Sequence, residues 1–167
     1  GDDGMYIVHR SAEESNLDRF REAGLELNVS KTSTFTDSEE ALFLQRYYHP
    51  KYLGKHGLGG VYSLYRAMHR IKYLERWSNF EQMGIEGSDF FALRTITILE
   101  NCKHHPGFKD LVKYAHGLDK FGLKFTKSGL SGYSKAMASK SRAGVFSGGN
   151  LKDGINSFET VKLLNTL

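Results

Sequence analysis

The chain has 167 residues, 40% hydrophobic and 13% aromatic, enough for a packed core and too apolar for a disordered segment. Its net charge of +4 hides an uneven spread: residues 1–50 carry ten acids and five bases, whereas residues 101–150 carry nine bases and two acids. No apolar run reaches membrane-spanning length, no stretch reads as a signal peptide, and the single cysteine, Cys102, excludes an internal disulfide and a cysteine-based zinc site.

The first element is the turn at Gly1-Asp2-Asp3-Gly4, followed by Met5-Tyr6-Ile7-Val8. The apolar run has the β-branched and aromatic content of a buried strand. Asp2 and Asp3 then fall at the tip of a turn, where hard oxygen ligands suit Mg²⁺ or Mn²⁺. Two such ions clamp the attacking and leaving oxygens in nucleotidyl transfer. The plainer reading of the pair is a solvated acidic turn.

Ser11 and Glu14 have the spacing of a capping box, and Leu17, Phe20 and Ala23 follow at helical spacing, which predicts a helix over 12–23 ended by Gly24. Leu25, Leu27 and Val29 alternate with polar residues, as in a half-buried strand. Thr32 to Thr36 and Ala41 to Tyr48 read as the two arms of a hairpin, with turn chemistry between them. Gly54, Gly57, Gly59 and Gly60 predict a flexible loop.

Beyond it the pattern becomes helical. A helix from Val61 to about Phe80 would turn Leu64, Met68, Ile71 and Trp77 inward. A second, capped by Ser88 and running through Asn101, would bury Phe91, Thr95, Ile98 and Leu99. A third lies between Pro106 and Gly117 with Phe108, Leu111, Val112 and Ala115 inward, and Asn156 opens a last one with Phe158, Val161 and Leu164 inward. Residues 118–150, rich in Lys, Ser and Gly, read as a basic loop with a short helix near 131–140. Cys102, His104 and His105 do not complete a zinc set and read as a helix-linking segment. The fold class is α+β, with a β-rich head over 1–48, a connection over 49–60 and a helical remainder over 61–167.

In their order, three stretches resemble motifs of viral RNA-directed RNA polymerases. Gly1-Asp2-Asp3 resembles motif C, Gly24-Leu25-Glu26-Leu27-Asn28-Val29-Ser30-Lys31 resembles motif D, and Phe43-Leu44-Gln45-Arg46 resembles motif E. Gly60 to Trp77 and Ile98 to Phe108 are similar to thumb segments of picobirnavirus polymerases, with partitivirus polymerases as a related possibility. The resemblance covers about residues 1–115 and implies the C-terminal part of a right-hand palm, a short antiparallel sheet plus a helix, followed by a mostly α-helical thumb. It implies a fragment, lacking the fingers and the rest of the palm.

By that resemblance, Asp2 is the principal ligand of two divalent ions, Mg²⁺ or Mn²⁺, and Asp3 a weaker one. Lys31 donates a proton to the leaving pyrophosphate or neutralises its charge. Gln45 and Arg46 hold the growing strand, the arginine fork suiting phosphate. The implied partners are an RNA template and nascent strand, ribonucleoside triphosphates and the missing part of the same polymerase, in a virion interior or host cytoplasm. Plainer roles exist for each: a surface lysine for Lys31, and for Arg46 a partner among the acids at 37–40. Tyr47, Tyr48, Tyr62 and Tyr65 suit either base stacking or ordinary packing. The basic stretch 103–142 is expected to line the duplex exit through phosphate contacts. Two rivals stand beside this reading: a reverse transcriptase palm–thumb piece, and a non-enzymatic basic helical RNA-binding module.

Overall fold

The computed structural model describes residues 4–35, 40–55, 57–75, 77–140 and 154–167. The fold is α+β, helices with small antiparallel strand pairs, and it divides into two compact units, Gly1–Gly60 and Val61–Leu167.

In the first unit the strand expected at 5–8 does not form. Met5, Tyr6, Ile7 and Val8 are irregular and exposed, with only Tyr6 resting on the Phe20 ring at 5.2 Å. A strand needs a neighbour to bond its backbone and cover its side chains, and none lies alongside among the described residues. Helix α1 spans Glu13–Glu22, behind a 3-10 turn over Arg10–Ala12. The expected capping box is absent: Ala12 is the N-cap, and Ser11 sits inside the preceding turn with its Oγ 2.7 Å from His9 Nδ1. The other end is as read. Gly24 takes φ +77°, and its N–H and that of Leu25 reach back to Arg21 and Phe20 carbonyls at 2.9 and 3.0 Å.

The alternation at 25–29 yields no strand, because Asn28 imposes a turn. Its carbonyl accepts from the N–H groups of Lys31 and Thr32, its side chain accepts from Ser30 Oγ at 2.7 Å, and Val29–Lys31 becomes a 3-10 turn. Residues 32–35 are also irregular, and 36–39 lie outside the described residues. The hairpin lies instead within the stretch read as a single arm. Strands β1 (Ala41–Phe43) and β2 (Arg46–Tyr48) pair antiparallel, with Phe43 opposite Arg46 and Ala41 opposite Tyr48. Leu44 and Gln45 close the turn at φ +47° and +63°. A two-residue turn with both positions left-handed usually carries Asn or Gly, so nothing local announced it. The glycine-rich loop is likewise a small hairpin, β3 (Leu53–Gly54) on β4 (Gly57–Leu58).

The second unit opens on β5 (Val61–Tyr62) and α2 (Leu64–Lys72), which stops well short of Phe80. Arg94 explains the stop: its guanidinium donates to the carbonyl oxygens of Arg70 and Tyr73 and so closes the helix end. Trp77, expected on the inner stripe, is 73% exposed, and Met68 is exposed too. Helix α3 (Gly87–Glu100) is the centre of this unit, burying Phe90, Leu93, Ile96 and Leu99 on nearly all sides. Its N-cap is Glu86 rather than Ser88, and Phe90 rather than Phe91 is buried. An all-round apolar helix has no single stripe to read. Helix α4 (Phe108–Leu118) buries the four residues expected, with Gly117 inside its last turn. Helix α5 (Lys127–Lys140) is longer than read, and α6 (Glu159–Leu164) follows a 3-10 turn, with Phe158 and Val161 buried.

Two carboxylates fasten these helices. Asp89 on α3 is buried and accepts from Thr126 N–H and Oγ1–H at 2.8 and 2.6 Å, while Thr126 Oγ1 accepts from Gly129 N–H as the N-cap of α5. This cap offsets the poor helix propensity of the Gly- and Ser-rich α5. Glu100 at the other end of α3 accepts from Thr160 N–H and Oγ1–H, both at 3.0 Å, and docks the start of α6.

Candidate functional site

Asp2 and Asp3 lie outside the described residues. Lys31 ends the 3-10 turn held by Asn28, with an exposed side chain. Gln45 stands exposed at the left-handed tip of the β1–β2 hairpin, and Arg46 follows it at the start of β2. Strand alternation sends Arg46 and Tyr48 to one face and Tyr47 to the other. On the first face Gly60 comes so close that a Cβ there would stand 2.9 Å from Arg46 Cδ and from the Tyr48 ring, and Arg46 Nη1 donates to the Gly60 carbonyl at 3.4 Å. Among the acids considered as partners for Arg46, Glu40 accepts from the Tyr47 hydroxyl at 2.6 Å. That hydrogen bond holds the Tyr47 phenol above its usual pKa.

The second face carries an aromatic group in which His49 and Tyr52 join Tyr47. Tyr47 lies between His49, near-parallel at 6.1 Å, and Tyr52, edge-on at 6.4 Å, with Lys51 Nζ 5.0 Å from the Tyr52 ring. His49 Nδ1 accepts from Lys51 N–H at 3.1 Å, which assigns the proton of the neutral ring to Nε2. Of the four tyrosines singled out, Tyr62 is core at 5% exposure and Tyr65 is 87% exposed.

The segment linking α3 and α4 is formed by turns, as read. Cys102 is fully buried and His105 Nδ1 accepts from Gly107 N–H at 2.9 Å. Among the described residues no group of three or more His, Cys, Asp or Glu side chains gathers to hold a metal ion, and no helix is long and apolar enough to cross a membrane.

Positive charge is spread over α4, α5 and the turn between them. Lys109, Lys113, Lys120, Lys124, Lys127 and Lys135 are exposed, and none is paired with a carboxylate among the described residues. Two acids lie among them: Asp110 is exposed on α4, and Asp119 turns its Oδ1 to the N–H groups of Phe121 and Leu123, each at 2.9 Å. Tyr114 and Phe121 stand exposed beside the lysines.

No family model matches the chain. It is 26% identical over 145 residues to a potential RNA-dependent RNA polymerase of a human picobirnavirus, a match covering 87% of this chain and 26% of that protein. Its fold is similar to the crystal structure of the RNA-dependent RNA polymerase of a human picobirnavirus, with a TM-score of 0.62 and 26% identity, over 92% of this chain and 29% of that one. An insertion-loop deletion mutant of such a polymerase gives a TM-score of 0.64 at 23% identity, over 97% and 28%. The chain thus spans about a quarter of the length of the relatives it matches. In sequence and fold it is like a viral RNA-dependent RNA polymerase of the picobirnavirus type, and it corresponds to part of such a protein.

Proposed function

We propose that the chain is the C-terminal palm and thumb part of an RNA-directed RNA polymerase that adds ribonucleoside monophosphates to an RNA 3′ end. The observation that carries this reading is the likeness in both sequence and fold to picobirnavirus polymerases, in a chain that opens on Gly-Asp-Asp. In this reading residues 1–48 end the palm, 49–60 connect, and 61–167 form the thumb. The reverse transcriptase and RNA-binding-module readings draw no support from these relatives.

Asp2 and Asp3 supply two hard carboxylate donors, the chemistry that Mg²⁺ or Mn²⁺ takes. They fill only part of an octahedral shell, so further ligands come from the remainder of the polymerase, the nucleotide phosphates and water. Bound there, the ions would activate the 3′-hydroxyl and steady the pyrophosphate. Lys31, exposed and held on a short turn, is free to swing its ammonium group to the leaving phosphates and donate a proton. Gln45 and Arg46, on a hairpin whose geometry is fixed by paired strands, hold the nascent strand's backbone. The lysines of α4 and α5 hold the departing duplex by phosphate contacts that read no sequence.

The surface of the first unit supports incompleteness. Ile7, Leu25, Leu42 and Leu44 are each more than half exposed, apolar area that the rest of a polymerase would cover. In this reading the 167-residue chain alone has no polymerase activity, since two carboxylates fill only part of the metal shell. Primer extension tests the assignment in the intact polymerase. Asp2→Asn is expected to reduce incorporation to background, and Lys31→Leu to lower kcat by roughly 10²–10⁴, the range for a lost general acid. Full activity in Asp2→Asn, or template-directed extension by the isolated chain, would overturn it.

A further inference from the structure

An open cleft of about 680 Å³ lies between the first turn of α3 and the connection from α4 to α5. That size is in the range of small-ligand sites. It lies wholly within the second unit and takes no part in the chemistry assigned to Asp2, Asp3 and Lys31.

Its walls carry three kinds of chemistry. Lys120 and Lys124 line one side with His116, and neither lysine is paired with a carboxylate among the described residues. On the opposite side α3 begins without a side-chain cap, so the N–H groups of its first turn add partial positive charge. Phe121, 54% exposed, and Phe125 give the cleft its apolar surface. Two acids also line it. Asp89 is buried and turned to Thr126, from which it accepts two hydrogen bonds, which leaves Glu86 as the exposed carboxylate at the rim.

A simple anion would not account for this set, because Glu86 opposes it. We propose that the cleft takes a ribonucleotide unit. Its phosphate sits between Lys120 and Lys124, its base lies on Phe121, and a ribose hydroxyl donates to Glu86. A nucleotide combines an anion, a flat apolar face and hydroxyl donors, and each finds its complement here. The hydroxyl contact makes ribose preferred over deoxyribose, the distinction that a 2′-hydroxyl allows. The unit is either one nucleotide of an RNA strand or a free nucleotide, and the test separates the two.

The test is amide NMR on the full 167-residue chain, titrated separately with adenosine 5′-monophosphate, its 2′-deoxy form and a tetra-adenylate ribonucleotide. Saturable shifts are expected at Ser88, Gly122 and Thr126. Lys120→Glu with Lys124→Glu should weaken binding at least tenfold, and Glu86→Ala, which removes the acceptor without removing a helix cap, should erase the preference for ribose while leaving the fold's spectrum intact. Shifts with the tetranucleotide alone assign the site to an RNA strand; shifts with both assign it to a nucleotide from either source. Absence of shifts at these amides with all three ligands would overturn the proposal, as would unchanged affinity in the charge-reversed variant or shifts confined to lysines away from the cleft. None of these outcomes depends on polymerase activity, so this site and the active-site assignment fail separately.

Discussion

Replacing Gly129 with alanine tests the clamp between α3 and α5. In an ordinary helix interior this change stabilises by about 1 kcal/mol. Here the added Cβ would lie 2.0 Å from Asp89 Oδ2 and 2.4 Å from its Cγ. Those are not contacts that a small adjustment relieves, because Asp89 is buried and fixed by Thr126 N–H and Oγ1–H at 2.8 and 2.6 Å. Asp89 must swing away and lose both bonds. Hydrogen bonds to a charged group contribute roughly 1.5–3 kcal/mol each, so the loss is about 3–6 kcal/mol, and after the helix gain the net destabilisation is about 2–5 kcal/mol. Gly117 is the control: it lies in α4, and nothing lies within 4 Å of its Cβ position, so Gly117→Ala should stabilise by up to about 1 kcal/mol. Urea unfolding followed by helical circular dichroism, which reports chiefly on the second unit, measures both. A neutral or stabilising Gly129→Ala would refute the clamp.

Glu100→Ala would leave the Thr160 N–H and hydroxyl buried without their acceptor, at a cost of about 2–4 kcal/mol, and hydrogen exchange should accelerate over residues 154–167 before the rest of the unit. Gln45→Gly removes a left-handed side chain penalised by about 1–2 kcal/mol and adds glycine's entropy of about 0.5–1. Slower exchange of the hairpin amides is therefore expected, and faster exchange would contradict the strained turn. Burial holds the Tyr133 phenol above its usual pKa, so the neutral form is favoured on folding. The stability it contributes is fully present below the ordinary phenol pKa and is lost as pH rises through the folded value; ultraviolet titration should show Tyr133 ionising above the ordinary phenol pKa, and Tyr133→Phe should flatten the alkaline loss.

What the sequence revealed follows the reach of each signal. Helix α4 was legible to the residue on its inner face because it has one apolar stripe, and Gly24 was legible because its left-handed cap is a local demand. Helix α3 hid its facing because it is buried on nearly all sides. The end of α2 depends on Arg94, a residue more than twenty positions away, and no window along the chain contains that fact. The β1–β2 turn was missed because Leu44 and Gln45 carry none of the residues that favour positive φ. At the candidate site, residue types suggested Asp2 and Asp3, and the resemblance to polymerase motifs suggested Lys31, Gln45 and Arg46, but neither pointed to the cleft, which depends on how Asp89 and Asp119 are bonded internally.

The account rests on Asp2 and Asp3 forming half of a divalent-cation site with Lys31 beside it. Mn²⁺ titration of the intact polymerase, isotope-labelled over these 167 residues and read as paramagnetic broadening of amide signals, tests this directly. The amides flanking Asp2 and Asp3 and that of Lys31 should broaden together, and Asp2→Asn with Asp3→Asn should abolish both effects. A Lys31 signal that stays sharp while ions occupy the aspartates, or broadening that survives the double substitution, would contradict the account.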